Sequence, residues 1–145
     1  MKEEDVTKTI MNYLLAQGWQ IICYDFPQSG TGRVLHPNDR NNKTLGAIIP
    51  DIVAIKDDVV VVFENKSHFV QSDFDKIDFL RHSVDYTNSW NSILQGHEYS
   101  KFYYGIGLPM NDEDYVKAEK NKNKVDFIVY INADGLMNIS GNIIF

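Results

Sequence analysis

Residues 48–66 read IIPDIVAIKDDVVVVFENK and contain the pattern that decides the fold. Two apolar runs rich in β-branched residues, 49–56 and 59–66, are separated only by Asp57 and Asp58. Runs of this composition on either side of a polar residue pair are typical of a β-hairpin. The pattern therefore predicts two antiparallel strands joined by a tight turn at the two aspartates.

The register of this predicted hairpin determines which side chains meet. With the turn at the aspartate pair, Asp51 lies directly opposite Glu64. Directly opposed residues of antiparallel strands share a face, with Cβ atoms about 4.5 to 5.5 Å apart. Because side chains alternate along a strand, Lys66 lies on the same face as Glu64. We therefore expect Asp51, Glu64 and Lys66 to converge at one end of the hairpin.

Two opposed carboxylates repel each other, so this arrangement is stable only with a cation between them. A divalent metal is the natural candidate, because Mg²⁺ binds one or two carboxylates and keeps waters and substrate phosphates as its other ligands. Such an ion lowers the pKa of a bound water and polarises a phosphoryl oxygen. Lys66 would add a positive charge near the negative charge that develops on phosphorus. The three residues are thus suited to phosphodiester hydrolysis.

The segments around the hairpin predict an α/β fold. Apolar residues at helical spacing predict a first helix that ends at Gly18, and Ser72 with Asp75 predicts a capping box at the start of a later helix. The predicted helices are residues 4–17, 72–84 and 88–95, and the further predicted strands are residues 19–26, 101–108, 125–132 and 136–139. The element order predicts one mixed β-sheet flanked by helices.

The residues of the hairpin also resemble a known family. Pro50-Asp51, twelve intervening residues and then Glu64-Asn65-Lys66 are similar to the signature of the PD-(D/E)xK nuclease superfamily, which has the restriction-endonuclease-like fold. The core of that family runs αβββαβ, and the predicted order of this chain from about residue 4 to residue 108 follows it. The resemblance implies an enzyme that cleaves DNA with Mg²⁺ as its cofactor.

The same resemblance implies roles for individual residues. Lys66 would lie near the nucleophile, and a glutamate of the first helix, Glu4 or Glu3, would lie near the metal. The implied metal ligands are Asp51, Glu64 and the main-chain carbonyl of Asn65.

Length and charge limit the other possibilities. The chain has 145 residues, so residues 1–145 are expected to form a single domain. Its formal net charge of -6 argues against sequence-independent binding to a polyanion. The long polar segment 27–46 nevertheless carries Arg33, Arg40 and Lys43. These cations are interpreted as either part of a solvated loop or a DNA-binding surface, in which arginine can read guanine and lysine can position phosphate.

Partner and location follow from similar arguments. The apolar runs, such as residues 59–63, are too short to cross a membrane, and the single Cys23 is expected to be buried in a reducing, cytoplasmic environment. One site per small chain suggests a homodimer for cutting both strands of a duplex. A restriction-type endonuclease is the first functional hypothesis, and a structure-selective resolvase or repair nuclease is the second. The rival from another class is a non-catalytic nucleic-acid-binding or assembly module with the same fold.

Overall fold

The computed structural model describes residues 1–26, 32–39, 46–143 and 145. Within these ranges the strands are β1 (Gln20–Tyr24), β2 (Ile52–Lys56), β3 (Val59–Asn65), β4 (Lys101–Pro109), β5 (Phe127–Ile131) and β6 (Met137–Gly141). The helices are α1 (Glu3–Ala16), α2 (Gln71–His82), α3 (Thr87–Ile93) and α4 (Asp112–Glu119), with a short 3-10 helix at Lys122–Lys124. None of the helices in these ranges has the length and apolar character of a membrane-spanning segment.

The strands form one mixed sheet whose spatial order follows the sequence from β1 to β6. The β1, β2 and β3 strands are antiparallel neighbours. The β3, β4 and β5 strands run parallel, and β6 returns antiparallel to β5. The predicted α/β class, the mixed sheet and the αβββαβ order are confirmed. The α3 helix lies between α2 and β4, and α4 is an element that the sequence pattern did not indicate.

Helices cover both faces of the sheet, because the strands at its centre are apolar on both sides. In β3, Val61 and Phe63 pack with the α1 residues Val6, Ile10 and Leu14. The alternate residues of β3, Val60 and Val62, pack on the other face with Phe74, Ile77 and Leu80 of α2. The result is a three-layer arrangement, and α1 and α2 approach the hairpin from opposite faces.

The predicted start and end of α2 were wrong. The helix begins at Gln71 and has no side-chain cap, so Ser72 lies inside its first turn. Asp75 does not complete a capping box, because its carboxylate pairs with Lys124 and accepts a hydrogen bond from Gln71. Val84 lies beyond the helix end and is 75% exposed, so it does not belong to the buried face.

Candidate functional site

The register of the β2–β3 hairpin agrees with the sequence prediction. Ile52 pairs with Phe63, and the backbone N–H of Asp51 donates to the carbonyl of Phe63 at 2.9 Å. The turn lies at Asp57, whose φ of 54° places it in the left-handed region that tight hairpin turns use. The ladder ends at the pair Ile52–Phe63, and Asp51 and Glu64 are the residues that follow it on the two strands. They lie close enough for the charge of Glu64 to act on Asp51, and Glu64 is on the sheet face that α2 covers, because Lys76 of α2 pairs with it. That Asp51 lies directly opposite Glu64 stays a prediction.

Asp51 is buried in the protein interior, where a carboxylate is costly to ionise. Its side chain is almost fully shielded, and its Oδ2 accepts a hydrogen bond from the backbone N–H of Asn65 at 2.7 Å. Burial, and then the neighbouring Glu64 carboxylate, raise the pKa of Asp51 to about 8 against the pull of that hydrogen bond. The folded chain thus holds a proton on Asp51 near neutral pH unless a cation stabilises the charged form.

Glu64 has the same burial but a different partner. Its Oε1 lies 3.0 Å from Nζ of Lys76, which α2 presents to this end of β3. Burial raises the pKa of Glu64, and the charge of Lys76 opposes that rise. The two carboxyl groups therefore have different partners. Lys76 pairs with Glu64, and the backbone N–H of Asn65 donates to Asp51.

Lys66 follows β3 directly, and its backbone N–H donates to the carbonyl of Gly107 in the neighbouring parallel strand at 3.0 Å. Its side chain is 28% exposed, and Nζ lies 3.8 Å from Oε1 of Glu3. Partial burial alone would lower the pKa of Lys66, but Asp73, Glu3 and the other nearby carboxyl groups raise it. Lys66 is therefore a charged ammonium at the edge of the cluster and accessible from solvent.

Sequence reasoning missed two residues of this cluster, Asp73 and Lys76, both in the first half of α2. Asp73 is buried, and its Oδ2 has no hydrogen-bond partner among the described residues. Burial raises the pKa of Asp73, whereas the charges of Lys66 and Lys76 lower it. The available signal was their three-residue spacing, which puts both side chains on one helix face shortly after the Glu64-Asn65-Lys66 triplet.

Asn65 faces the opposite side of the sheet from Glu64. Its Nδ2 donates to Oγ1 of Thr7 on α1 at 3.1 Å, and its side chain lies against Gly107, where no larger residue would fit. This buried contact attaches the start of α1 to the end of β3. The role of the Asn65 main-chain carbonyl as a metal ligand stays a prediction.

The first helix contributes Glu3 rather than Glu4 to this cluster. Glu3 lies beside Lys66 and adds to the negative potential at Asp51. Glu4 instead pairs with Lys8 on the next turn of α1, at 2.9 Å. Successive helical residues point about 100° apart, so only one of two adjacent glutamates can face the hairpin. Of the two glutamates that the sequence offered, Glu3 is the one beside the cluster, and the role of either glutamate at a metal stays a prediction.

The three candidate DNA-binding cations are only partly described. Arg33 is exposed, whereas Arg40 and Lys43 lie outside the described residues. The backbone around Arg33 is held in place, because Leu35 and Ile48 form a β-bridge with hydrogen bonds of 2.6 and 2.9 Å. Contact of Arg33, Arg40 and Lys43 with DNA stays a prediction.

The donor set at the hairpin fits Mg²⁺. In the described part of the chain, no three Asp, Glu, His or Cys side chains are grouped as metal ligands. The neighbouring pair Asp51 and Glu64 supplies two hard carboxylates, and Mg²⁺ in enzymes commonly takes one or two carboxylates and completes its shell with water and phosphate oxygens. A buried acid with a raised pKa, such as Asp51, is also the kind of group that a bound cation would stabilise.

Comparison with known proteins finds no family for this chain. No protein-family model matches the sequence, and no curated protein matches it. Among solved structures, an FdxN element excision controlling factor protein from Anabaena variabilis is similar with a TM-score of 0.45 and 17% identity, covering 92% of this chain and 96% of its own. An XisH family protein from Nostoc punctiforme is similar with a TM-score of 0.43 and 15% identity, covering 92% and 95%.

Proposed function

We propose that this chain is a Mg²⁺-dependent DNA endonuclease of the restriction type. The observation that supports it most is the pair of neighbouring, buried carboxyl groups of Asp51 and Glu64 at the end of the hairpin. A folding chain gains nothing by burying two acids against each other, since each loses hydration and repels the other. A site for a divalent cation accounts for that cost. The resemblance of residues 50–66 to the PD-(D/E)xK signature points to the same chemistry.

The roles of the residues follow from their positions. Asp51 and Glu64 would hold the ion, and the hydrogen bond from the Asn65 amide orients Asp51 for that purpose. The ion, when bound, would supply a water of lowered pKa and polarise a phosphoryl oxygen. Lys66 is charged and accessible, so its ammonium can stabilise the negative charge that develops on the phosphate as the attacking oxygen approaches. The exposed Arg33 would contact DNA.

A restriction-type enzyme must cut two strands, and each chain offers one such site. We infer a homodimer in which the two sites face the two strands of a duplex. A structure-selective resolvase or repair nuclease would use the same residues, and differs in whether segment 27–46 reads bases.

The test is a cleavage assay with purified full-length protein on supercoiled plasmid, single-stranded DNA and a branched duplex. Wild type should cut at least one substrate with Mg²⁺ and none with EDTA. Asp51→Asn and Glu64→Gln should abolish cutting, because each removes a charged ligand and keeps the side-chain volume. Asp57→Asn is the matched control, since it removes an exposed aspartate at the opposite end of the same hairpin. Equal inactivity of all four proteins on every substrate would refute the proposal.

A non-catalytic binding module is the second candidate. The ion pair of Lys76 with Glu64 favours it, because that lysine already neutralises one of the two acids. The net charge of -6 gives this module little general attraction to DNA, so any binding would be local. Retention of a branched or duplex probe in gel-shift experiments, with no cleavage in Mg²⁺ or Mn²⁺, would select it.

A further inference from the structure

Lys76 pairs with Oε1 of Glu64, one of the two carboxylates of the proposed metal site. We propose that Lys76 is a resident counter-ion, which neutralises Glu64 while the site is free of metal and competes with a divalent cation for that carboxylate. This inference rests on the metal site of the proposed function. It adds that metal loading is a competition between an ammonium of the protein and the incoming ion.

The first step of the argument is the environment of Glu64. Its side chain is only 7% exposed, so water cannot compensate an ionised carboxylate there. In the described residues the ion pair of Glu64 is with Lys76, at 3.0 Å. The lysine of the triplet does not fill this role, because Nζ of Lys66 is nearest to Glu3. Lys76 therefore provides the charge compensation of Glu64.

The second step is that the ion pair between Lys76 and Glu64 can break easily. The Lys76 side chain is 36% exposed, so its ammonium can withdraw to water along a flexible four-carbon stem. Its contact is a single ammonium-to-oxygen pair rather than a fork, which limits how firmly it holds. A divalent cation that uses the other oxygen of Glu64 as a ligand would be repelled by an ammonium at this distance, so each cation weakens the hold of Glu64 on the other.

The third step is that the structure offers the released lysine another partner. Asp73 precedes Lys76 by three residues on the same face of α2, and its charge is felt by both Lys66 and Lys76. Its Oδ2 is buried and has no hydrogen-bond partner in the described part of the chain. Asp73 is therefore an available acceptor, on the same helix, for an ammonium that leaves Glu64. The open oxygen of Asp73 is the independent sign that this cluster has a second arrangement.

The experiment measures metal affinity directly, without DNA. Mg²⁺ and Mn²⁺ are titrated into the full-length protein by isothermal calorimetry, comparing wild type with Lys76→Gln and Lys76→Met. Loss of the competing charge should tighten binding of both ions by about tenfold or more, because a unit positive charge a few ångströms from a divalent cation repels it. Lys76→Arg keeps the charge and should bind close to wild type. Lys124→Met is the matched control, because it removes a similarly exposed lysine that pairs with Asp75 on the same helix.

Two further measurements make the outcome decisive. The metal-free Lys76→Met protein should melt below wild type, and the loss should be smaller in Lys76→Gln, which can still donate to Glu64. Asp73→Asn should weaken metal binding in wild type and have less effect when Lys76 is already Met. Unchanged or weaker metal affinity in both neutral variants of Lys76 overturns the inference, as does the absence of metal binding in every variant.

The two proposals can fail separately. Tighter metal binding by the neutral Lys76 variants in a protein that cleaves no DNA would support the counter-ion and refute the nuclease. Mg²⁺-dependent cleavage by wild type with equal metal affinity in all Lys76 variants would support the nuclease and refute the counter-ion.

Discussion

Replacing Asp51 by Asn tests the central electrostatic claim without any activity assay. The substitution removes the charge but keeps the side-chain shape, and the Asn side-chain oxygen can still accept the hydrogen bond from the Asn65 amide. The substitution also removes the repulsion between the charges of Asp51 and Glu64. We expect the metal-free Asp51→Asn protein to be more stable than wild type at neutral and alkaline pH. The two should have nearly equal stability in acid.

The size of the effect follows from the pKa of Asp51, which rises from its ordinary value of 3.8 to about 8 on folding. A carboxyl group with a raised folded pKa binds more protons when folded, so stability is lost as pH rises from the unfolded pKa to the folded one. At about 1.4 kcal/mol per pH unit, the cost is about 1.5 kcal/mol near about pH 5 and about 4 kcal/mol near about pH 7. These values are upper limits, because relaxation and water penetration reduce the cost of a buried charge.

The assay is urea unfolding in EDTA at a series of pH values for wild type, Asp51→Asn and the Asp57→Asn control. The difference in unfolding free energy between Asp51→Asn and wild type should grow steadily from acid to neutral pH and level off above about pH 8. The exposed Asp57 control should stay close to wild type throughout. A constant difference across the range would show that Asp51 does not carry the cost of a buried charge. Adding Mg²⁺ should then stabilise wild type more than Asp51→Asn.

Three further predictions concern the framework around the site. Gly107→Ala should cost about 2 kcal/mol in urea unfolding, because a Cβ there collides with the Asn65 side chain, whereas Gly46→Ala has open space and should be nearly neutral. Thr7→Val should cost about 1 to 2 kcal/mol in the same assay, since it leaves the buried Nδ2 of Asn65 without its acceptor; an unchanged midpoint would contradict that contact. Burial raises the pKa of the Cys23 thiol to about 11, so at about pH 8 a thiol reagent should label it only at the rate of unfolding, and rapid labelling of the folded chain would refute this.

The position of the two acids could be predicted from sequence because it depends on local rules alone. A turn at a known residue pair fixes the register of the hairpin from Lys56–Val59 to Ile52–Phe63, and it brings Asp51 and Glu64 to the same end of the hairpin without reference to the rest of the fold. The sequence predicted a strand over residues 59–66 from its apolar, β-branched run, and the structure shows that Val60 and Val62 are buried on one face and Val61 and Phe63 on the other.

The contacts from the helices could not be predicted in the same way. Whether Lys76 reaches Glu64 depends on how α2 lies across β3 and β4, which is set by packing far along the chain. The choice between Glu3 and Glu4 depends on where the first helix begins and how it is rotated, and both residues are acidic. The capping box failed for a related reason, since Asp75 has a tertiary partner that local pattern does not contain.

The charge of the whole cluster connects these observations. Lys66 and Lys76 are surrounded by an excess of acids whose electrostatic influence reaches one another, namely Glu3, Asp51, Glu64 and Asp73. With every group ionised, the four acids would outnumber the two lysines by two negative charges in a largely buried cluster. One divalent cation would neutralise that excess. Without that cation the excess negative charge is reduced by protonation, and the raised pKa of Asp51 identifies it as the group that holds the proton. Proton release on metal binding, measured in buffers of different ionisation enthalpy, should therefore accompany loading of the site, because the same carboxyl group cannot keep both its proton and the metal.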